Sequence, residues 1–277
     1  MNLAIGAKEL SEHAKKGKFG SKPLIDKRHL PYMLDDGIGH RARIGLIALP
    51  DDLTIEHELR MIFDLPGAAC FVNRLPCAAT ITPDTLQAME GEIARAAGLI
   101  LPELSVDVMA YGCTSGSLFI GPKSIHDLIH SVHPRTTCTT PIEAATAALK
   151  ALEARSIALI TPYADEINQR LRDHLRLNGF EVPAMGSWNE PLDAKVGRIS
   201  PESIRNAVLD LARSDRVDTV FISCTNLRAL NILKTLEHEL DKPVISSNAA
   251  LGWHCLRLAD IDDRLPQYGR LFDQPIS

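Results

Sequence analysis

The chain has 277 residues with a formal net charge of −5, and 45% of them are apolar, so it can bury a hydrophobic core. The mild charge argues against a nucleic-acid or membrane-surface partner, and no apolar run approaches the roughly 18 residues of a membrane span. The six cysteines form no CxxC pair, which argues against zinc and fits a reducing compartment. The N-terminus lacks the pattern of a signal peptide. We therefore expect a cytoplasmic protein without a metal site.

Residues 1–42 differ from the rest, because they are rich in lysine and glycine and poor in large apolar side chains. We interpret them as an N-terminal extension. It either packs against the body or a partner subunit, or forms a partly mobile tail. From Arg43 onward, short apolar segments alternate regularly with amphipathic ones.

In the first half the pattern predicts strands at residues 44–49, 68–72 and 106–111. Helices are predicted at 54–64, 82–97 and 122–130, the second with Thr82 as its N-cap and Pro83 in its first turn.

After Pro134 the same unit repeats, beginning with Thr140 as the cap of an alanine-rich helix that ends near residue 152. The other predicted helices span 163–178, a segment from Ser200 onward, 227–240 and 248–258. The predicted strands span 156–161, 180–184, 218–222 and 244–245, and residues 186–198 are predicted to form a polar loop. Short apolar strands between amphipathic helices indicate an α/β fold, with parallel sheets covered by helices on both faces.

Cys113 and Cys224 occupy equivalent positions in the two halves, since each follows an apolar strand and precedes a predicted helix. In parallel sheets, ligands bind beyond the carboxyl ends of the strands. A thiol at the start of a helix faces the positive end of the helix dipole, which favours the thiolate. Either cysteine alone fits a buried structural role equally well. The equivalent placement favours a functional one, in which two thiols facing across a cleft exchange protons with a carbon atom.

Polar residues beside the two cysteines are candidates for binding a substrate. Thr114 and Ser115 supply hydroxyls next to Cys113. Asn226 either orients a carboxylate or caps the following helix. Tyr163 follows another predicted strand, where its phenol either donates to a substrate or fills the domain interface. Cys77, like Cys70 and Cys255, is interpreted as core packing.

Five motifs carry a family resemblance: Gly-Cys-Thr-Ser-Gly-Ser at 112–117, Thr-Thr-Pro-Ile-Glu-Ala-Ala at 139–145, Thr-Pro-Tyr at 161–163, Ser-Cys-Thr-Asn-Leu-Arg at 223–228 and Ser-Ser-Asn-Ala-Ala-Leu-Gly-Trp-His at 246–254. With these motifs the chain resembles the aspartate/glutamate racemase superfamily. The branch it resembles contains maleate cis-trans isomerases, arylmalonate decarboxylases and ectoine-utilisation proteins.

The resemblance implies two flavodoxin-like α/β lobes related by a pseudo-twofold axis, with the active site between them and no cofactor. The first lobe would comprise residues 43–139 and 246–277, and the second residues 140–245. Cys113 and Cys224 would be the catalytic thiols, Tyr163 a substrate-binding phenol, and Pro50 part of the first substrate loop. The residues implied to hold a carboxylate are Thr114, Ser115, Thr225 and Asn226. We also expect a homo-oligomer, either a dimer or a tetramer.

One detail narrows the expected chemistry. Decarboxylases of this branch resemble Gly-Thr-Ser at the first-lobe position and keep only the second-lobe cysteine, whereas this chain has Cys113 there. The sequence therefore favours a two-cysteine racemase, epimerase or cis-trans isomerase that acts on a small carboxylic acid. The alternatives are a decarboxylase that uses Cys224 alone and a non-catalytic carboxylate-binding protein.

Overall fold

A computed structural model describes residue 25 and residues 27–276. The chain divides into two compact units, Met1–Asp36 and Gly37–Ser277. In the first unit, residues 27–36 form neither helix nor strand and are exposed to solvent. Most of the predicted N-terminal extension, residues 1–42, lies outside the described residues. In the part of the chain that the structure describes, no helix is long and apolar enough to cross a membrane.

The second unit contains two four-stranded sheets in which every neighbouring pair of strands is parallel. The strands are β1 (Ala42–Ala48), β2 (Ala68–Arg74), β3 (Val108–Tyr111), β4 (Thr137–Thr139), β5 (Ser156–Thr161), β6 (Glu181–Ser187), β7 (Thr219–Ile222) and β8 (Val244–Ser246). Their orders are β2-β1-β3-β4 and β6-β5-β7-β8. The two sheets therefore repeat one flavodoxin-like order, which confirms the predicted fold class. The exact lobe boundaries stay a prediction.

Eleven helices lie in the described part of this unit. They are α1 (Ile55–Ile62), α2 (Pro83–Ala88), α3 (Glu90–Gly98), α4 (Thr114–Ile120), α5 (Pro122–His130), α6 (Pro141–Ala151), α7 (Asp165–Leu177), α8 (Asp193–Val196), α9 (Pro201–Ala212), α10 (Leu233–Leu240) and α11 (Ser247–Leu258). Thr82 and Thr140 cap α2 and α6 as predicted, because each hydroxyl accepts a backbone N–H three residues further along.

Besides α8, which lies within the predicted polar loop at 186–198, three local features differ from the sequence-based expectations. The predicted helix at 82–97 is divided at Met89 into α2 and α3. The short strand β4 joins the first sheet where only a crossover segment was expected. After Cys224 the chain forms a loop and a 3-10 turn (Leu230–Ile232), so the next α-helix begins at Leu233 and not at residue 227.

The core is continuous around α11, which follows the last strand of the second sheet. Ten of its twelve residues are buried, including Trp253, which is fully enclosed. The helix packs against α1, which follows a strand of the first sheet, and against α6. Both faces of each sheet are covered, so β3 and β7 consist entirely of buried residues. This packing fixes the loops that follow β3 and β7.

Candidate active site

The carboxyl ends of β3 and β7 bring Cys113 and Cys224 to the same cavity, as their equivalent positions predict. The cavity has a volume of about 30 Å³. Four more of the predicted site residues line it, namely Thr114, Ser115, Tyr163 and Thr225. Residues from both halves of the chain therefore share one small enclosed space.

Cys113 lies at the N-cap of α4, directly after Gly112, the residue that follows β3. Its Sγ accepts a hydrogen bond from the Gly116 backbone N–H at 3.2 Å and lies 3.7 Å from the Ser115 hydroxyl. A Cβ atom at Gly116 would lie 2.6 Å from the Tyr111 hydroxyl and 3.0 Å from the Cys113 sulfur. Glycine at position 116 thus allows the helix to begin close against the thiol.

Cys224 occupies the matching place after β7, where its Sγ accepts a hydrogen bond from the Asn226 backbone N–H at 3.4 Å. The following residues form a loop held against the first half of the chain. The Thr225 hydroxyl donates to the Gly112 carbonyl at 3.4 Å, and Asn248 Nδ2 donates to the Thr225 carbonyl at 2.7 Å. These contacts place the second thiol beside the first lobe.

Burial determines the protonation of both thiols. Cys113 is 4% exposed and Cys224 is 5% exposed. Burial raises the pKa of the Cys113 thiol to about 12, although its hydrogen bond from Gly116 acts in the opposite direction. Burial also raises the pKa of the Cys224 thiol, and the nearby Asp193 carboxylate raises it further. The expectation that helix ends lower the pKa of these cysteines is therefore wrong, because burial raises the pKa of both.

Tyr163 follows β5 and is buried in the wall of the cavity. Burial raises the pKa of its phenol well above the usual value, with the neighbouring Cys224 and Cys113 adding to the shift. The phenol interacts with the Cys224 thiol and the Thr114 hydroxyl. Asn168 Nδ2 donates to the Tyr163 carbonyl at 2.7 Å, which fixes the backbone at this position. Tyr163 is therefore a protonated hydrogen-bond donor inside the cavity.

Asn226, a predicted carboxylate ligand, does not line the cavity. Its Oδ1 accepts the Leu53 N–H at 2.9 Å. Its Nδ2 donates to the Asp193 carbonyl at 2.9 Å, to Asp193 Oδ1 at 3.1 Å and to the Asp51 carbonyl at 3.2 Å. Both polar atoms of the amide are engaged, so Asn226 joins two loops that border the site.

Pro50 is also outside the cavity. It is exposed, and its carbonyl accepts a hydrogen bond from Arg74 Nη1 at 3.2 Å in a shallow surface depression. The preceding residue, Leu49, lines the cavity instead. The structure thus brings together six of the eight predicted site residues and leaves Pro50 and Asn226 in the surrounding shell.

Two chemically important residues of the cavity, Asp193 and Cys77, were not predicted as site residues. Asp193 begins α8 within the segment expected to be a polar loop, and Cys77 was assigned to core packing. Their segments meet over the site, where the Ile81 N–H donates to the Pro191 carbonyl at 3.0 Å. No motif marks either segment, so only the three-dimensional contact identifies them.

No group of three His, Cys, Asp or Glu side chains within residues 27–276 is arranged to hold a metal ion. The six cysteines of the chain are all free thiols.

Replacing Asn226 by alanine is expected to lower the free energy of unfolding by about 2 kcal/mol, because the Leu53 N–H and two Asp193 acceptors lose a buried partner. Urea denaturation of both proteins measures the change. The control is Asn206→Ala, an exposed asparagine on α9, with an expected change within about 0.5 kcal/mol. Equal stability of the two variants would contradict the role given to Asn226.

The repeated lobes and the pair of thiols at their shared cavity define a two-lobed α/β protein class with one cysteine contributed by each lobe. A profile of the arylmalonate decarboxylase family matches residues 44–272, and the chain belongs to this family.

Several relatives have known activities. The chain is 27% identical over 242 residues to a maleate isomerase of Nocardia farcinica, covering 84% of this chain and 96% of the relative. It is 31% identical over 236 residues to an arylmalonate decarboxylase of Bordetella bronchiseptica, covering 83% of this chain and 96% of the relative.

The solved structure of a cysteine-to-serine mutant of the Nocardia farcinica maleate cis-trans isomerase has a covalently bound succinylcysteine intermediate. It matches with a TM-score of 0.75 at 25% identity, covering 84% of this chain and 98% of that one. The relatives are isomerases and a decarboxylase, so this chain belongs to a family of enzymes.

Proposed function

We propose that this protein is a cofactor-independent isomerase that acts on a small carboxylic acid through Cys113 and Cys224. The observation that carries the proposal is that the two thiols, one from each lobe, line the same enclosed cavity. A reaction that needs only one thiol gives no reason for the second. The reaction is either a racemisation or epimerisation, or a cis-trans isomerisation.

The cavity supplies hydrogen-bond donors for a carboxylate. Ser115 contributes a hydroxyl and Tyr163 a protonated phenol, whereas the Thr225 hydroxyl, which also lines the cavity, donates to the Gly112 carbonyl. When a proton leaves the carbon next to a carboxylate, negative charge moves onto the carboxylate oxygens, and donors already in place stabilise it. The cavity is largely enclosed, which strengthens these hydrogen bonds.

In a racemisation, the thiolate of one cysteine takes the proton from the α-carbon, and the thiol of the other returns a proton to the opposite face. The first cysteine ends as a thiol and the second as a thiolate, so no external acid, base or oxidant is consumed. Burial raises the pKa of both thiols and so favours their neutral forms. One thiol must therefore lose its proton as the substrate binds.

In a cis-trans isomerisation, the thiolate of one cysteine adds to one carbon of the double bond, and the thiol of the other protonates the neighbouring carbon. The resulting single bond rotates. The second cysteine, now a thiolate, takes a proton back from that carbon, and the first leaves as a thiolate while the double bond forms again. The covalent succinylcysteine in the related maleate isomerase mutant supports this route. Both routes use the same two cysteines, so a labelling experiment must distinguish them.

Substrate entry requires the cavity to open. At about 30 Å³ it has room for roughly two water molecules, which is less than any carboxylic acid of three or more carbons needs. The segments that meet over it are joined by the Ile81–Pro191 backbone hydrogen bond and by a bridge between Thr80 and Leu192. We infer that these two segments separate to admit the substrate and then exclude water.

Proton NMR in heavy water tests the proposal. The purified protein is incubated separately with maleate, aspartate, glutamate, alanine, 2-aminobutanoate and phenylmalonate. Fumarate formed from maleate, or deuterium at an α-carbon together with inversion, supports the isomerase. Loss of carbon dioxide from phenylmalonate alone would replace it with a decarboxylase. Binding without any conversion would favour a carboxylate-binding protein.

The decarboxylase is retained as a second candidate because a specific observation favours it. The chain belongs to the arylmalonate decarboxylase family, and the relative with 31% identity is an arylmalonate decarboxylase. In that reaction carbon dioxide leaves from one face and one thiol, Cys224, delivers the single proton. Cys113 would then have no chemical role, and its replacement separates the two candidates.

A further inference from the structure

The cavity contains one carboxyl group and no cationic side chain. Asp193 lines it beside both cysteines, and none of the described lining residues is lysine, arginine or histidine. The other lining residues are hydroxyl, thiol or apolar, and Cys77, Leu49, Ile81 and Thr80 are among them. One part of the cavity thus offers hydroxyl donors, and another offers a single acceptor.

The Asp193 carboxyl is only partly satisfied by the protein. The residue is 8% exposed. Its Oδ1 accepts a hydrogen bond from Asn226 Nδ2 at 3.1 Å, whereas no donor within residues 27–276 reaches Oδ2. Asp193 lines the cavity, and a carboxylate oxygen that has no donor from the protein can accept a hydrogen bond from a ligand there. The geometry therefore leaves an acceptor available to a molecule in the cavity.

The same carboxylate acts on the catalytic thiols. Its negative charge raises the pKa of Cys224 and of Cys113, in both cases in addition to the larger effect of burial. It also raises the pKa of Cys77. A second carboxylate on the substrate would add to this repulsion. A positive group beside Asp193 would cancel it and make one thiol easier to ionise.

We propose that Asp193 determines the substrate class, so that the enzyme takes a small amino acid with one carboxylate and one ammonium group and rejects dicarboxylates. The inference rests on the proposed function. The substrate carboxylate meets Ser115, Thr225 and Tyr163, while its ammonium group donates to Asp193 Oδ2. The apolar walls receive the aliphatic side chain.

This placement completes the proton exchange described above. The ammonium group sits on the same carbon that loses the proton, and it compensates the Asp193 charge when the substrate binds. One cysteine then loses its proton to solvent before the cavity closes, removes the α-proton as a thiolate, and the opposite thiol protonates the other face. The product is the enantiomer of the substrate. The two cysteines carry one proton before and after the exchange, and the proton released to solvent is taken up again when the product leaves.

Binding measurements with matched ligands test the proposal without relying on turnover. Isothermal titration calorimetry compares alanine and 2-aminobutanoate with butanoate, which lacks the ammonium group, and with maleate and succinate. The wild-type protein should bind 2-aminobutanoate about 10- to 100-fold more tightly than butanoate, as a charge-assisted hydrogen bond predicts. The two dicarboxylates should bind more weakly than either amino acid.

The variant Asp193→Asn removes the charge and supplies an amide donor. It should bind 2-aminobutanoate and butanoate within about threefold of each other and bind maleate about tenfold more tightly than the wild type. The control is Asp51→Asn, which removes the same charge from an exposed side chain on the neighbouring loop. That control should keep the wild-type order of affinities.

Three results would overturn the proposal: tighter wild-type binding of a dicarboxylate than of both amino acids, an unchanged ligand order in Asp193→Asn, and no binding of either amino acid. Deuterium exchange at the α-carbon distinguishes failure of the Asp193 proposal from failure of the proposed isomerase function. Selective binding that depends on Asp193, without exchange at the α-carbon, would support the ligand class and reject the isomerase. If the wild type and Asp193→Asn convert maleate equally well, the isomerase is supported and the role of Asp193 is rejected.

Discussion

Replacing Cys113 by serine is expected to lower kcat for racemisation or isomerisation by about 10³-fold, the loss associated with removing a positioned acid–base group. Serine keeps the shape of cysteine, but its hydroxyl ionises far less readily than a thiol. The Gly116 N–H that contacts Sγ remains available to the new oxygen. Steady-state kinetics of both proteins on the substrate found by NMR measure the effect.

The same variant separates a two-thiol from a one-thiol mechanism. A decarboxylase that works through Cys224 alone should retain most of its activity in Cys113→Ser and lose it in Cys224→Ser. A two-thiol enzyme should lose turnover in both. A racemase adds a sharper test, because each variant should still exchange the α-proton of one enantiomer, and the two variants should act on opposite enantiomers.

Cys138→Ser is the matched control for these two variants. Cys138 is half-buried in β4 and does not line the cavity. Its replacement should leave kcat within about twofold of the wild-type value, since it touches none of the proposed catalytic groups. Full activity in Cys113→Ser would reject the two-cysteine mechanism, provided that the variant unfolds at the same urea concentration as the wild type.

The thiol protonation shows where a local argument fails. From the sequence, Cys113 is expected at the start of a helix, and the structure confirms that position. A helix dipole contributes roughly 1 kcal/mol at such a place. Complete removal of a thiolate from water costs several times more, so the pKa of Cys113 rises. The position of a residue along an element is predictable, whereas its depth in the protein depends on the whole fold.

The same distinction explains which site residues the sequence could identify. Cys113, Cys224 and Tyr163 directly follow apolar strands, and parallel strands bring their carboxyl ends together. Asp193 has no such marker. It reaches the cavity because the segments around Ile81 and Pro191 contact each other across the two halves of the chain. Residues placed by long-range loop contacts carry no local periodicity, so their role becomes visible only in the folded structure.

Asn226 illustrates a different limit. Its position beside Cys224 fits a substrate ligand, and the pattern alone also permits a cap. In the structure it does neither, because its amide joins Leu53 to Asp193. The residue thus positions the loop that carries Asp193. A sequence motif can mark a residue as part of a site without showing whether it touches the substrate.

The contribution of the buried Glu58 carboxyl on α1 to stability is expected to fall as the pH rises from about 4.5 to 7. Glu58 is 4% exposed, and burial raises its pKa from 4.5 to about 7. The folded protein therefore holds this proton more tightly than the unfolded chain does. Ionisation across that pH interval disfavours the folded state by about 3 kcal/mol, with the loss complete above the folded-state pKa.

The position of Glu58 makes this loss relevant to the active site. One of its oxygens accepts the Leu230 N–H at 2.9 Å, in the chain segment that follows Cys224, and the other accepts Asn248 Nδ2 at 2.8 Å. Asn248 in turn donates to the Thr225 carbonyl at 2.7 Å. Asp52 acts in the same direction, because burial raises its pKa to about 6. Both acids lie at the contact between α1 and the loop that carries the second thiol.

Urea denaturation of the wild type and of Glu58→Gln at pH 4.5, 5.5, 7 and 8 isolates this contribution. Glutamine stays neutral, so the unfolding free energy of the wild type minus that of the variant should fall by about 3 kcal/mol between pH 4.5 and 7 and then level off. Glu202→Gln, on the exposed surface of α9, is the control and should give a difference that changes little with pH. A difference for Glu58→Gln that is constant, or that increases with pH, would show that folding does not raise the pKa of Glu58. The loop after Cys224 would then not be held by a protonated carboxyl near neutral pH.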